Sequence, residues 1–235
     1  MRQIIAMGGG GFSMEPDNLA LDQYILDQAN QPRPKVCFVP TASGDADSYI
    51  LNFYKAFSQL ECLPSYLSLF KLPTADLESF ILEKDVIYVG GGNTRSLMIL
   101  WREWDLDRIF RKAYEAGVVL AGISAGANCW FEQCTTDSIP GNLTVLSCLG
   151  FLAGSFSPHY DGEAERRPTL HRLVKAGEIL PGYAADNSAA IHFVDEQPVH
   201  AIRSISTAHA YRISYTNEQV MEETLDMHDI GPTKE

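Results

Sequence analysis

A serine flanked by small residues follows the most hydrophobic segment of the chain. The segment Gly122–Gly126 reads GISAG and fits the pattern G-x-S-x-G, with the apolar run Val118–Ile123 leading into it and the helix-compatible stretch Ala125–Phe131 following. A sharp turn from strand to helix would project the serine hydroxyl above the sheet edge and aim backbone N–H groups at a developing negative charge. This arrangement is typical of nucleophilic attack on a carbonyl carbon, with Ser124 as the nucleophile.

A serine hydroxyl needs a neighbouring base to become nucleophilic, and the chain has six histidines. His159 comes after the apolar run Gly150–Phe156, where a strand is expected to give way to a loop, and ligand-binding residues often lie in such places. His171 and His192 fall within helix-like and strand-like runs, and the other three lie late in the chain at positions 200, 209 and 228. We therefore predict His159 as the general base.

A third residue is expected to orient this histidine, and two aspartates are candidates. Asp137 lies in a polar loop, 137 − 124 = 13 residues after Ser124, and Asp186 lies just before the β-like run Ala189–Val194. Each has an alternative role as an ordinary loop aspartate that caps a turn. Asp137 is taken as the first candidate and Asp186 as the alternative, and the sequence leaves the choice open.

A second glycine-rich turn, Gly90–Gly92, follows the β-rich run Val86–Val89 and opens a helical stretch. Its backbone can approach a ligand closely and donate N–H groups to it. The turn fits neither the dinucleotide-binding pattern G-x-G-x-x-G nor a Walker A motif, which would need a lysine. Beside a nucleophilic serine, the simplest interpretation is an oxyanion hole formed by the N–H groups of Gly92 and Ala125.

The amino-acid composition argues against several classes of protein and several kinds of binding partner. The chain has 235 residues, of which 46% are hydrophobic and 20% are charged, as in ordinary globular proteins. Its 30 acidic and 18 basic residues give a net charge of −12, which disfavours nucleic acid and anionic membranes as partners. No apolar run approaches the roughly twenty residues of a membrane span, and the glycine-rich N-terminus does not resemble a signal sequence. We expect a cytoplasmic protein.

The five cysteines are scattered and contain no CxxC pair. They are therefore expected to be reduced thiols, and no second Cys or His pair stands at a spacing typical of a structural zinc site. The sequence predicts no metal and no cofactor.

The candidate residues must be positioned by alternating strands and helices, which predict a mostly parallel sheet. The resulting fold class is α/β, a three-layer, Rossmann-like arrangement in one domain spanning residues 1–235, with the acidic segment 216–235 as a loosely ordered tail. Sites in open α/β sheets collect at the carboxyl ends of the strands, so Gly92, Ser124 and the loop with His159 are expected at one edge. Predicted strands are Arg2–Met7, Val36–Val39, Ser65–Leu69, Val86–Val89, Val118–Ile123, Ala189–Val194, Val199–Ile202 and Ala210–Ser214. Predicted helices are Asn18–Gln28, Tyr49–Leu60, Asn93–Trp101, Leu106–Ala116 and Arg167–Ala176.

An ordered set of motifs resembles the peptidase E family, the aspartyl dipeptidase group that also includes cyanophycinase and is related to class I glutamine amidotransferase-like folds. The resemblance implies that the family's serine, oxyanion glycine and histidine correspond to Ser124, Gly92 and His159. The motifs are VGGGNT at Val89–Thr94, GISAGAN at Gly122–Asn128, the TTDS-IP loop at Thr135–Pro140 and SPHYDGE at Ser157–Glu163.

The sequence departs from the family pattern in the loop after the serine. Aspartyl dipeptidases usually read Thr-Thr-Asn-Asp there, whereas this chain has Asp137 followed by Ser138 at the position of the family aspartate. The segment Gly182–Ala190 instead resembles the cyanophycinase stretch that carries an acidic residue. That resemblance favours Asp186 as the acid or gives the orienting role to Asn187.

These observations predict a serine exopeptidase that hydrolyses short peptides through an acyl-enzyme, with dipeptides carrying an N-terminal aspartate as the substrates implied by the resemblance. Asn93, Arg166 and Arg167 are the predicted substrate-binding residues. The two arginines follow His159 closely and can bind a carboxylate through two parallel hydrogen bonds, and the alternative for each is a solvated position at a helix start. The alternatives are a cyanophycinase-like peptidase and a non-catalytic ligand-binding module on the same scaffold. The expected partner is a small peptide, and the expected assembly is a monomer or a homodimer.

Overall fold

The structure is a computed structural model that describes residues 1–231. Eight α-helices lie in this range: α1 (Gly11–Met14), α2 (Ala20–Asp27), α3 (Asp47–Phe57), α4 (Leu77–Leu82), α5 (Thr94–Glu103), α6 (Leu106–Glu115), α7 (Ala125–Asn128) and α8 (Arg166–Lys175). The first seven strands are β1 (Gln3–Met7), β2 (Lys35–Val39), β3 (Leu63–Tyr66), β4 (Val86–Val89), β5 (Val119–Ile123), β6 (Phe131–Thr136) and β7 (Thr144–Ser147). The last seven are β8 (Leu152–Ser157), β9 (Gly182–Ala185), β10 (Ala189–Val194), β11 (Gln197–Arg203), β12 (Ala210–Thr216), β13 (Gln219–Thr224) and β14 (Met227–Asp229).

An eight-stranded sheet with the order β14-β11-β10-β1-β5-β4-β2-β3 forms the centre of the molecule. The five adjacent strands β1, β5, β4, β2 and β3 are parallel to one another. Strand β10 pairs antiparallel with β1, and β11 pairs antiparallel with β10. Strand β5 is buried along its whole length, as expected for a parallel strand covered on both faces. The predicted α/β fold with a mostly parallel sheet is confirmed.

The two faces of this sheet bury separate hydrophobic cores. Along β1, Ile5 and Met7 pack toward α1, α2 and α3, whereas Ile4 and Ala6 face the core that includes α5 and α6. Helix α6 shows why these segments are helical, because its buried residues recur at the spacing of one helix face. The layers place the carboxyl ends of β1, β4 and β5 at a common edge.

A six-stranded second sheet, with the order β13-β12-β9-β8-β6-β7, was not anticipated from the sequence. It corrects three expectations. The helix expected over Ala125–Phe131 is the single turn α7, and the polar loop expected from residue 135 begins only after β6 ends at Thr136. The expected loose tail from residue 216 contains β13 and β14 as far as the structure describes it, and residues 232–235 lie outside the described residues.

Among residues 1–231, no helix has the length and apolar character needed to span a bilayer.

Candidate active site

Ser124 stands at the turn between β5 and α7 in a strained backbone conformation, with φ 56° and ψ −115°. A non-glycine residue with positive φ is uncommon and marks a site where the surrounding structure enforces the conformation. The two flanking glycines are required by close packing. A side chain at Gly122 would collide with the Gly126 carbonyl, and one at Gly126 would collide with the Val89 carbonyl. The G-x-S-x-G spacing thus follows from the geometry of the turn.

His159 reaches the serine from the loop that follows β8. Its Nε2 lies 2.9 Å from Ser124 Oγ, within hydrogen-bond distance. The loop is held at its base, because the His159 N–H is donated to the Gly8 carbonyl at 3.2 Å and the Thr135 hydroxyl is donated to Ser157 Oγ at 2.7 Å. The structure therefore brings together the predicted nucleophile and the predicted base, which come from different sheets.

Asn187, in the turn between β9 and β10, holds the other side of the imidazole. Its Oδ1 lies 2.7 Å from His159 Nδ1, and its own N–H is donated to Asp161 Oδ1 at 2.8 Å. Two glycines leave room for the amide, since a side chain at Gly9 would collide with Oδ1 and one at Gly162 would lie 2.6 Å from Nδ2. Contacts from several parts of the chain thus position the Asn187 amide.

This contact fixes the tautomer that a general base needs. The Asn187 carbonyl oxygen accepts the Nδ1–H of His159, which leaves Nε2 unprotonated and free to accept the proton of the Ser124 hydroxyl. An amide can orient the imidazole in this way but carries no charge with which to stabilise an imidazolium. The arrangement is a Ser-His-Asn triad, which matches the alternative that gave the orienting role to Asn187 and differs from the acid-containing triad taken first.

Asp137, the first candidate for the orienting acid, lies away from the histidine. Its side chain is 68% exposed, and Arg166, at 3.8 Å, is the charged group that it approaches. The reason lies at the end of β6, where the Thr136 hydroxyl bonds the Ser138 hydroxyl at 2.7 Å and turns residue 137 outward. The expectation that Asp137 orients His159 is therefore wrong.

Asp186, the alternative candidate, is next to Asn187 in sequence but points into the protein. Its side chain is 4% exposed, and Oδ2 accepts the His209 N–H at 2.9 Å and the Tyr211 hydroxyl at 3.3 Å. Burial raises the pKa of this carboxyl above its ordinary value. Asp186 thus supports the turn that carries Asn187, and it does not contact His159.

The glycine turn after β4 contains four successive N–H groups, from residue 90 to residue 93. The three that are donated within the protein are Gly90 to the Val39 carbonyl at 3.1 Å, Gly91 to the Tyr49 hydroxyl at 3.2 Å, and Asn93 to the Ala42 carbonyl at 2.7 Å. The N–H of Gly92 has no acceptor within residues 1–231.

Ala125 is the first residue of helix α7, and its N–H, like that of Gly92, has no acceptor in the described part of the chain. The two donors follow neighbouring parallel strands, because Val89 pairs with Gly122 and each donor lies three residues beyond that pair. The turn is also close to the nucleophile, since a Cβ on Gly91 would lie 3.4 Å from Ser124 Cβ. The geometry is compatible with a two-donor oxyanion hole.

Asn93, a predicted substrate-binding residue, caps helix α5. Its Oδ1 accepts the Ser96 N–H at 2.9 Å, and its Nδ2 donates to the Ser138 carbonyl at 2.9 Å. Both ends of the amide are therefore occupied within the protein. The structure gives Asn93 a capping role and corrects the expectation that it binds substrate.

Arg166 is likewise committed to the protein. Its guanidinium is 3% exposed and forms two hydrogen bonds to the Glu163 carboxylate, at 2.7 and 3.2 Å. The expectation that Arg166 binds a substrate carboxylate is wrong, because its buried guanidinium is already paired with the Glu163 carboxylate.

Arg167 is more exposed, but its charge is also paired. Its Nη1 donates to Glu222 Oε1 at 2.9 Å, and its guanidinium carbon lies 4.7 Å and 4.8 Å from the ring centres of Tyr160 and Tyr211. These contacts tie α8 to β13 and β12. They give Arg167 a structural role in place of the expected substrate-binding role.

Comparisons with known proteins find related peptidases. The sequence model of peptidase family S51 matches residues 4–201. The chain is 58% identical to the uncharacterized peptidase YgaJ of Bacillus subtilis (strain 168), over 98% of this chain and 100% of that protein. It is 28% identical to peptidase E of Pasteurella multocida (strain Pm70), over 75% of this chain and 77% of the relative. A crystal structure of a peptidase from an acI-B1 Actinobacterium has the same fold, with a TM-score of 0.69 at 16% identity over 96% and 97% of the two chains.

Proposed function

Because the chain belongs to peptidase family S51 and is thereby a peptidase, we propose that it hydrolyses short peptides by a serine mechanism, through an acyl-enzyme on Ser124. One observation carries the proposal. His159 Nε2 lies 2.9 Å from Ser124 Oγ while its Nδ1 is held 2.7 Å from Asn187 Oδ1. A serine at a strained strand-to-helix turn, beside an oriented imidazole, is equipped to attack a carbonyl carbon.

The first half of the reaction forms the acyl-enzyme. His159 Nε2 takes the hydroxyl proton as Ser124 Oγ bonds to the scissile carbonyl carbon, and the carbonyl oxygen becomes an oxyanion. The N–H groups of Gly92 and Ala125 donate to that oxygen, where negative charge develops. The tetrahedral intermediate then collapses, His159 returns the proton to the leaving amine, and the peptide bond breaks.

The second half releases the product. A water molecule gives its proton to His159 and attacks the acyl carbon, and a second tetrahedral intermediate expels Ser124 Oγ, which regains its proton from His159. Asn187 holds the imidazole in the productive orientation throughout. Because its amide is neutral, transient positive charge on His159 has no directly bonded counter-ion.

The substrate class is proposed as short peptides cleaved at a terminus, with the aspartyl dipeptides implied by the resemblance as the first to be tested. The two arginines expected to bind the aspartate carboxylate are paired with Glu163 and Glu222, so the preference depends on other contacts. The preference for aspartate therefore stays a prediction.

A dipeptide panel tests the proposal. Wild type and Ser124→Ala are assayed on Asp-Leu, Asn-Leu and Ala-Leu, with free leucine as the product measured. Hydrolysis by wild type and none by the variant is expected. Equal rates on all three peptides would discard the aspartyl preference and leave the serine mechanism standing, whereas undiminished hydrolysis by Ser124→Ala would overturn the mechanism.

A further inference from the structure

Tyr49 is the residue outside the triad that contacts the oxyanion turn through a side-chain hydroxyl. It lies on α3, and its hydroxyl accepts the Gly91 N–H at 3.2 Å. Its ring also lies against the turn, since a Cβ on Gly90 would come within 2.9 Å of Tyr49 Cε1. No motif in the sequence pointed to this tyrosine.

The turn needs such an anchor because its three glycines are conformationally free. Glycine populates positive and negative φ about equally, so a run of three can rotate its peptide planes at little cost. Gly92 itself has φ 137°. The Gly91 N–H held by Tyr49 fixes the Gly90–Gly91 peptide, and the Asn93 N–H held by the Ala42 carbonyl fixes the Gly92–Asn93 peptide. The Gly91–Gly92 peptide, which carries the Gly92 N–H, lies between these two anchored peptides, and its rotation is restricted from both sides.

The Tyr49 ring is itself rigidly held. It packs on Phe12 and Phe38, with ring centres 5.5 Å and 5.0 Å away, within an aromatic cluster on the α3 side of the sheet. Burial raises the pKa of its hydroxyl, so the group stays a neutral phenol at physiological pH. The anchor is therefore a fixed neutral oxygen on a packed ring.

We propose that Tyr49 is a positioning residue for the oxyanion hole: by holding the Gly91 N–H it anchors the peptide next to the one that carries the Gly92 N–H, and so restricts the direction of that donor. The inference rests on the proposed serine mechanism. It predicts that the hydroxyl contributes mainly in the transition state, where the oxyanion exists, and little to the binding of the ground-state peptide.

The test is Tyr49→Phe, which keeps the ring packing and removes the hydroxyl, with Tyr54→Phe on the same helix as the matched control. For Tyr49→Phe we expect kcat to fall about 3- to 10-fold with KM unchanged, the size of one lost positioning hydrogen bond. Affinity for a peptide aldehyde, whose adduct with Ser124 places an oxyanion in the hole, should fall by a similar factor. Tyr54→Phe should match wild type in both measurements.

One stability control and two distinct outcomes separate the possible failures. The thermal midpoint of each variant is measured, and assays are run well below it, so that partial unfolding cannot mimic a change in kcat. An active wild type with the same kcat and aldehyde affinity as Tyr49→Phe would overturn the role of Tyr49 alone. A folded wild type that hydrolyses no peptide and reacts with no fluorophosphonate would overturn the serine mechanism and this inference with it.

Discussion

His159 and His171 are both held by polar side chains, but the two networks differ in every feature that matters for catalysis. His159 has a neutral amide on one nitrogen and the Ser124 hydroxyl on the other, on a loop with positive φ. His171 lies on α8, and its Nε2 meets the Glu222 carboxylate at 2.9 Å and the Tyr160 hydroxyl at 3.1 Å. A carboxylate partner of the kind expected beside His159 is thus found beside His171, but it belongs to Glu222 and to neither of the expected aspartates.

The comparison shows that an acid–histidine pair does not by itself mark a catalytic site. Glu222 gathers His171, Tyr160 and Arg167 around one partly buried carboxylate and so joins α8 to β13. Tyr160 directly follows His159 in the chain, so adjacent residues serve the two networks. What distinguishes the His159 network is a serine on a strained turn, with two N–H groups that have no acceptor within residues 1–231.

The largest expected effect comes from removing the reacting groups. Ser124→Ala should lower kcat/KM by at least about 10⁴-fold, and His159→Ala by about 10² to 10⁴-fold, because nucleophile and general base act in the same step. His171→Ala is the matched control and should retain most of the wild-type kcat/KM. The measurement is steady-state hydrolysis of the preferred dipeptide. Equal losses of kcat/KM in His159→Ala and His171→Ala would contradict the different roles assigned to the two histidines.

The next effect concerns the residue that orients the histidine. Asn187→Ala should lower kcat about 10- to 100-fold with little change in KM, since orientation acts in the transition state. Asp137→Ala and Asp186→Asn should keep kcat near the wild-type value, although the second loses a buried hydrogen-bond acceptor and some stability. If the substitution at position 137 lowered kcat more than the one at position 187, Asp137 would again be the better candidate for the residue that orients His159.

Asn187→Asp sharpens the same point. A carboxylate would accept the same Nδ1–H and also stabilise the protonated imidazole, so activity should be retained and the acidic limb of the kcat/KM profile should move to higher pH. The profile is measured from pH 5 to 9 against wild type. An unmoved acidic limb would show that the group at 187 does not contact the catalytic histidine.

A buried carboxyl outside the triad, that of Asp22, should affect stability. Burial raises the pKa of Asp22 from 3.8 to about 7, so the folded state keeps a proton that the unfolded chain releases. The resulting stabilisation is fully present below pH 3.8 and is lost as pH rises through about 7. Denaturant unfolding should show that wild type loses on the order of 2 to 3 kcal/mol more than Asp22→Asn between pH 5 and pH 8. Parallel losses in the two proteins would contradict this assignment.

The smallest effect tests the second network directly. Glu222→Gln removes the charge shared by His171, Tyr160 and Arg167 and should cost about 1 to 2 kcal/mol of unfolding free energy. It should leave kcat/KM within about twofold of wild type, because the carboxylate does not touch the reacting atoms. Urea unfolding and dipeptide hydrolysis measure the two quantities.

The sequence predicted the parts of the site that depend on local pattern. Ser124, its flanking glycines and the buried strand before them form one continuous motif, and His159 followed from its place at a strand end. The identity of the orienting residue depends on side-chain direction instead. Asp186 and Asn187 are adjacent, yet one points to His209 and Tyr211 and the other to His159, and residue type alone favoured the acid.

The second sheet was missed for a related physical reason. Its strands β6 to β9 are short and carry polar residues such as Thr135 and Ser157, whose hydroxyls bond each other across the sheet. Strand β13 has the alternating exposure of an edge strand and an acidic composition that resembles a solvated tail. The same strand supplies Glu222. The sequence therefore did not predict the contacts of Glu222 with His171, Tyr160 and Arg167, because they depend on the position of β13 in the sheet.

The most direct measurement of the central claim is the rate at which a fluorophosphonate labels the folded protein, followed by intact mass and peptide mapping. We predict one label per chain on Ser124 and none on Ser124→Ala, with slower labelling of Asn187→Ala and a wild-type rate for Glu222→Gln. Absence of labelling on folded wild type, or a label that maps to another residue, would contradict the assignment of Ser124 as a nucleophile activated by His159 and Asn187.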